Sequence, residues 1–293
     1  MKVAVLGANG QLGSDVCAAF LRNGDKVCGL THSDVELTSA SSVETALSVH
    51  NPDFVVNTAA MHHVEKCEAD PIAAFTANAI GAKHVAEWAK RVGATVAYIS
   101  TDYVFDGKKG SPYLETDAAA PLNVYGITKL AGEHFTSAIG ARYFVLRVSA
   151  IYGLQPCRAK GGLNFVELML KLSRERDKLR VVDDEFVTPT PTVQIAEQLV
   201  ALSRSNNYGV YHGTAEGSCS WYEFAREIFC ATDTKVCLEK ASPGEFPAKV
   251  PRPKYSVLEN SALKAARLNV FTSWRDGLQN YLKARALTGV TTS

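Results

Sequence analysis

Val3-Ala4-Val5-Leu6-Gly7-Ala8-Asn9-Gly10-Gln11-Leu12-Gly13 is the stretch on which the reading of this chain turns. Its four leading apolar residues have the length and character of a strand buried on both faces. Three glycines follow, and Asp15-Val16-Cys17-Ala18-Ala19-Phe20-Leu21 then shows helical periodicity. A buried strand, a glycine loop and a helix, in that order, form the setting that a dinucleotide pyrophosphate needs. Gly7 and Gly10 let the backbone turn tightly and approach the phosphates, and Gly13 lets the helix pack close to the strand. The helix N-terminus then offers oriented N–H groups to the anion. Asn9, Gln11 and Leu12 belong to the same cofactor loop. The spacing is G-x-x-G-x-x-G rather than G-x-G-x-x-G, so the flanking strand and helix carry much of this reading.

Outward from this unit, Lys26 to Leu30 reads as a second strand ending in Thr31-His32-Ser33. An acidic residue at that end favours a free ribose, and Thr31 is neither acidic nor basic, which leaves NAD(H) and NADP(H) open with a slight lean to NADP. Thr31 and Asp34 are candidate contacts for the adenosine end. Asp53 to Asn57 is a further strand, and the small residues Ala59 and Ala60 behind it let a flat cofactor lie against backbone. Met61-His62-His63-Val64 follows as a loop at the edge where open α/β sheets bind ligands. Adjacent histidine side chains diverge and no third ligand stands nearby, so no metal is expected. Phe75 to Lys90 reads as an amphipathic helix, and Thr95 to Ile99 as a buried strand running into Ser100-Thr101-Asp102-Tyr103. A Thr101 hydroxyl at that edge can hydrogen-bond a carbonyl oxygen on which negative charge develops.

Asn123-Val124-Tyr125-Gly126-Ile127-Thr128-Lys129 places a phenol and an ammonium four residues apart, on one face of a helix. An ammonium near a phenol favours the phenolate, so Lys129 is expected to lower the Tyr125 pKa and make it a usable acid or base. A bare Y-x-x-x-K is commonly a half-buried Tyr beside a surface Lys. Convergence with the glycine loop and Thr101 on one sheet edge favours chemistry instead. Tyr143 to Arg147 supplies one more strand.

From Ile151 the alternation loosens: helices are expected over 164–176, 193–204 and 220–230, and a strand over 179–182. Ser242 to Pro253 is proline-rich and irregular, and Arg252 within it can clamp a phosphate as a bidentate donor. Residues 288–293 read as a frayed tail. These features give an α/β fold with a Rossmann-like doubly wound parallel sheet over 1–150, to which 181–213 returns, and a smaller α/β substrate lobe over 151–293.

Composition narrows the class. With 31 basic against 30 acidic residues and a net charge of +1, nucleic acid is not an expected partner. Seven scattered cysteines without a C-x-x-C read as free thiols in a reducing compartment. No signal peptide or membrane-spanning run stands out, so a cytoplasmic location and no membrane partner are expected.

These motifs together resemble the extended short-chain dehydrogenase/reductases, and within them the dTDP-4-dehydrorhamnose reductases. The matching segments are Gly7-x-x-Gly10-Gln11-x-Gly13, Asp53-x-Val55-Val56-Asn57-x-Ala59-Ala60, Ser100-Thr101-Asp102-Tyr103-Val104-Phe105-x-Gly107, Pro121 to Glu133, Asn164-Phe165, Pro189-Thr190 and Arg252-Pro253-x-x-Ser256. The resemblance implies NADP(H) or NAD(H) as cofactor and a nucleotide-linked 4-keto-6-deoxy sugar as substrate. It further implies Tyr125 as proton donor, Lys129 on the nicotinamide ribose and Thr101 on the reacting oxygen. Val64, Thr101, Asp102, Tyr103, Ala150, Asn164 and Arg252 fall at positions implied to meet the substrate, and a homodimer is left open. Two departures qualify the substrate. Ala150 stands where the family often has Trp, which removes a stacking surface worth roughly 1 kcal/mol or more, and His62-His63 replaces a small polar pair. Val193 replaces an acidic residue through which some members form a magnesium-linked dimer. Tyr103 stands where a sugar-nucleotide dehydratase has Glu, which argues against dehydration. A nucleotide-sugar epimerase remains an alternative, as does a non-catalytic subunit similar to the methionine adenosyltransferase β subunit.

Overall fold

The computed structural model describes residues 1–156, 161–242 and 244–288. The expectations placed on Cys157, Pro243 and the tail 289–293 lie outside these residues. The first half alternates β1 (Lys2–Leu6), α1 (Gln11–Arg22), β2 (Lys26–Leu30), α2 (Ala40–His50), β3 (Phe54–Asn57), α3 (Val64–Ala69), α4 (Pro71–Phe75), α5 (Gly81–Val92), β4 (Thr95–Thr101), α6 (Val124–Ile139) and β5 (Tyr143–Val148). The second half contains β6 (Ile151–Tyr152), α7 (Phe165–Glu175), β7 (Lys178–Val181), β8 (Phe186–Val187), β9 (Thr190–Pro191), α8 (Thr192–Ser203), β10 (Gly209–His212), β11 (Cys219–Ser220), α9 (Trp221–Ala231), β12 (Cys237–Lys240), α10 (Ser261–Ala265) and α11 (Trp274–Leu287).

Six parallel strands form one sheet in the order β10-β5-β4-β3-β1-β2. The chain crosses from one side of β1 to the other between β2 and β3, so the switch point and its ligand crevice lie at the carboxyl ends of β1 and β3. Val3 to Leu6 are at most 1% exposed, as a strand covered on both faces must be. On one face α1 and α8 close over Val3, Val5, Phe54, Phe144 and Leu146. On the other, α2 and α5 close over Ala4, Leu6, Val55 and Val96, with Trp88 as the largest filler.

Residues 178–191 do not join this sheet: β7 pairs with β12, β8 with β11 and β9 with β6. The return to the sheet begins at Thr192, where α8 packs on α1, and a second return follows at α10 and Phe271. The C-terminal lobe has its own core around Tyr152, Phe224, Trp274 and Leu278. Two local expectations change. Val64 is not loop but the first residue of α3, whose N-cap is His63. The helix expected over 75–90 is a longer helical run from Pro71 to Val92, opened at Thr76–Ile80 by a π-turn. Among the described residues no helix is long and apolar enough to cross a membrane.

Candidate active site

The glycine loop leaves β1 with Gly7 at φ +79°, in the left-handed region that a side chain rarely adopts. A methyl group at Gly13 would overlap the Gly7 carbonyl oxygen, so α1 seats on the loop only because position 13 lacks a side chain, while one at Gly7 would press on Thr58 and Ala59. Gly10 is the N-cap of α1 and supplies no side-chain cap, which leaves the first-turn N–H groups available to an anion. This cradle fits a pyrophosphate. Asn9 is exposed beside it. The Leu12 side chain is turned into the core, so only its backbone faces the loop. The Gln11 side chain is engaged elsewhere, its Nε2 donating to the Gly153 and Gln155 carbonyls at 3.2 and 2.9 Å and tying α1 to the segment after β6, while its backbone N–H stays in the first turn of α1. At the end of β2 the Asp34 carboxylate accepts from the Thr31 amide at 2.8 Å and its hydroxyl at 2.7 Å. Ala59 and Ala60 lie half-buried after β3, beside Gly7.

Across the sheet edge, β4 ends at Thr101, and α6 presents Tyr125 and Lys129. Asn123 caps α6, its Oδ1 accepting from the Gly126 amide at 2.9 Å, while its Nδ2 donates to the Pro251 carbonyl at 2.9 Å. The Tyr103 ring meets the Tyr125 ring edge-on at 5.9 Å between centroids. Burial pushes the Tyr125 phenol up, and the neighbouring Thr101 hydroxyl acts in the opposite sense. The lowering expected from Lys129 is therefore not what the structure shows: desolvation sets the direction. Lys129 is 2% exposed and its ammonium is held down to about 7 by burial, opposed chiefly by the charge of Glu133. Thr101 donates to Asp102 at 3.0 Å, and Asp102 also accepts from Ser149 at 2.8 Å. Burial raises the Asp102 pKa.

The proline-rich segment and α3 meet the start of α6 through Pro251 and Glu68, and the β5–β6 turn meets the end of β4 through Ser149 and Asp102. Glu65 bridges His63 at 3.1 Å and Arg252 at 2.5 Å, so Arg252 faces a carboxylate within the chain. Its buried Nε has no hydrogen-bond partner. Ala150 takes φ +44°, a left-handed conformation at the turn from β5 to β6. Asn164 does not present its amide to a ligand. Its Oδ1 caps α7 through the Glu167 amide, and both Nδ2 donors are taken by the Gly153 carbonyl at 2.9 Å and the Tyr281 hydroxyl at 3.2 Å. The six described cysteines are free thiols. Among the described residues no three His, Cys, Asp or Glu side chains gather where they could hold a metal ion.

Three contributors are not among the expected site residues. Glu133 lies one turn beyond Lys129 and joins Arg147 through hydrogen bonds of 2.7, 3.0 and 3.2 Å, with Ser100 also donating to it. The spacing of four from Lys129 was the available signal for it. Asn78 lies in the π-turn and fixes the Met61 backbone and the Thr128 hydroxyl. Tyr98 on β4 underlies Lys129, and no local pattern marks it.

Comparison with known proteins agrees with this geometry. A family model described as "RmlD substrate binding domain" matches residues 1–287. The chain is 38% identical to the spore coat polysaccharide biosynthesis protein SpsK of Bacillus subtilis over 285 residues, covering 97% of this chain and 98% of the relative. The crystal structure of a dTDP-4-dehydrorhamnose reductase from Clostridium acetobutylicum superposes with a TM-score of 0.92 at 38% identity, covering 97% and 99% of the two chains. That of the Bacillus anthracis dTDP-4-dehydrorhamnose reductase in complex with NADP gives 0.91 at 35% identity, with the same coverage. The chain belongs to the dTDP-4-dehydrorhamnose reductase family of NAD(P)-dependent oxidoreductases.

Proposed function

We propose that the protein reduces the 4-keto group of a nucleotide-linked 6-deoxy sugar, with Tyr125 as the proton donor and hydride delivered to C4. The observation that carries this reading is the placement of Thr101, Tyr125 and Lys129 at the same sheet edge as the bare N-terminus of α1. When bound at the glycine cradle, a reduced nicotinamide supplies the hydride. The chain's own residues do the rest. Gly7, Gly10 and Gly13 admit the pyrophosphate, and Ala59 and Ala60 leave room for the flat part of the dinucleotide.

The elevated Tyr125 pKa suits reduction, because the phenol stays protonated at neutral pH and still gives its proton readily to a nascent alkoxide, which is far more basic. Lys129 lies on the same helical face. Its ammonium holds the ribose and stabilises the phenolate left behind. The Thr101 hydroxyl would hydrogen-bond the reacting oxygen by turning its one proton from Asp102 to the substrate. Arg252 supplies the cation for the sugar-nucleotide phosphates, and Val64, Tyr103 and Ala150 border the sugar.

The test is consumption of NADPH or NADH, followed by nicotinamide absorbance, with dTDP-4-keto-6-deoxy-L-hexose as substrate. Turnover is expected to fall by about 10²–10⁴-fold in Tyr125→Phe, the usual contribution of a positioned acid. A wild-type rate no higher than that of Tyr125→Phe would reject the reading.

A further inference from the structure

We propose that Tyr98 is a positioning residue for Lys129, its ring face serving as the partner of the buried ammonium. The inference rests on the reading of Lys129 as the cationic member of the site. The Lys129 Nζ stands 4.1 Å from the centroid of the Tyr98 ring, well inside the range where a cation is attracted by an aromatic face. Among the described residues no carboxylate, carbonyl or hydroxyl accepts a hydrogen bond from this nitrogen, although the side chain is 2% exposed. Glu133, the nearest opposing charge on the same helix, is already engaged by Arg147 and Ser100. For an ammonium on so buried a side chain, with no carboxylate bonded to it, the ring quadrupole of Tyr98 is a source of negative potential at contact distance.

The ring is itself held firmly. Tyr98 is 1% exposed, and its hydroxyl donates to the Asn78 carbonyl at 3.0 Å, within the π-turn, with the Lys129 carbonyl at 3.5 Å. Gly132, three residues beyond Lys129 on α6, makes this approach feasible, because any side chain there would collide with the Tyr98 hydroxyl. Strand, π-turn and catalytic helix therefore meet at one phenol. Its oxygen fixes the ring, and its face holds the cation.

The readout is the pH midpoint for acylation of Lys129 by dilute acetic anhydride, quantified by mass spectrometry on the full chain without substrate. Tyr98→Phe keeps the ring face and is expected to keep the midpoint. Tyr98→Leu removes it and is expected to lower the midpoint by about one unit, a tenfold rise in the neutral amine at a given pH. Trifluorinated phenylalanine at position 98 has nearly the shape of Phe with a weakened quadrupole, so its midpoint is expected between the two. This last pair decides the matter even if the leucine variant fails to fold. Equal midpoints for phenylalanine and its fluorinated form would overturn the proposal, as would a Tyr98→Phe shift as large as that of Tyr98→Leu. Because labelling needs no sugar, graded midpoints in a protein that fails to reduce the keto sugar would reject the proposed substrate alone.

Discussion

Two glutamate–arginine pairs flank the cleft. Beneath α6, Glu133 and Arg147 meet with side chains 5% and 7% exposed, and Ser100 closes the remaining face of the carboxylate. At the outer edge, Glu65 and Arg252 meet with 33% and 36% of their side chains in solvent, and the bond joins α3 to the irregular segment before Ser256. The inner pair lies in a low-dielectric region where neither ion can be rehydrated without opening the fold, so it acts as fixed scaffolding under Lys129. The outer pair, a third exposed, can exchange partners with water at little cost. One site thus combines a rigid floor with an adjustable rim.

Breaking the inner pair is expected to have the largest effect on the fold. Glu133→Ala strands a buried guanidinium and should destabilise the protein by about 3–5 kcal/mol, read as a lower denaturant midpoint at unchanged slope. Titration sharpens the contrast at intermediate scale. Burial holds Lys129 at about 7, below its ordinary value, so the cation is present below that pH and is lost as pH rises through it. Dinucleotide affinity should therefore weaken above about pH 7, by up to roughly tenfold per unit where one proton is linked to binding. Fluorescence titrations with NADPH and NADH would show it, and Lys129→Met should flatten the profile. The outer pair gives the smallest effect. Glu65→Gln should change stability by no more than about 1 kcal/mol, yet it releases Arg252 and should tighten nucleotide-sugar binding a few-fold, measured by calorimetry. A loss of stability comparable to that of Glu133→Ala would erase the distinction between floor and rim.

The sequence discloses the parts of this site that are local. Val3 to Gly13 carries its strand, turn and helix start in consecutive residues, and the Tyr125–Lys129 spacing fixes a shared helical face before any tertiary contact is known. What it hides depends on burial and on partners distant in the chain. The Tyr125 pKa rises because desolvation exceeds the opposing hydrogen bond with Thr101, and desolvation is a property of the assembled site. Gln11 and Asn164 resemble ligand contacts in a motif, but their side-chain amide nitrogens are engaged within the chain, by carbonyls after β6 more than 140 residues away for Gln11 and by the Gly153 carbonyl and Tyr281 hydroxyl for Asn164. Tyr98 reaches Lys129 only because β4 runs beneath α6, a relation that periodicity within either element does not encode.

Asn123 and Asn164 each cap a helix with Oδ1 and clasp another segment with Nδ2, at the Pro251 carbonyl in one case and at the Gly153 carbonyl in the other. Four residue types serve well at an ordinary N-cap, but Asp, Ser and Thr cannot imitate an acceptor and a donor amide in the same orientation. At these two positions the usual alphabet of helix starts contracts to a single letter. In a saturation library selected for folding and turnover, both sites should tolerate fewer replacements than Ser220 or Ser273, which begin α9 and α11 on the same chain.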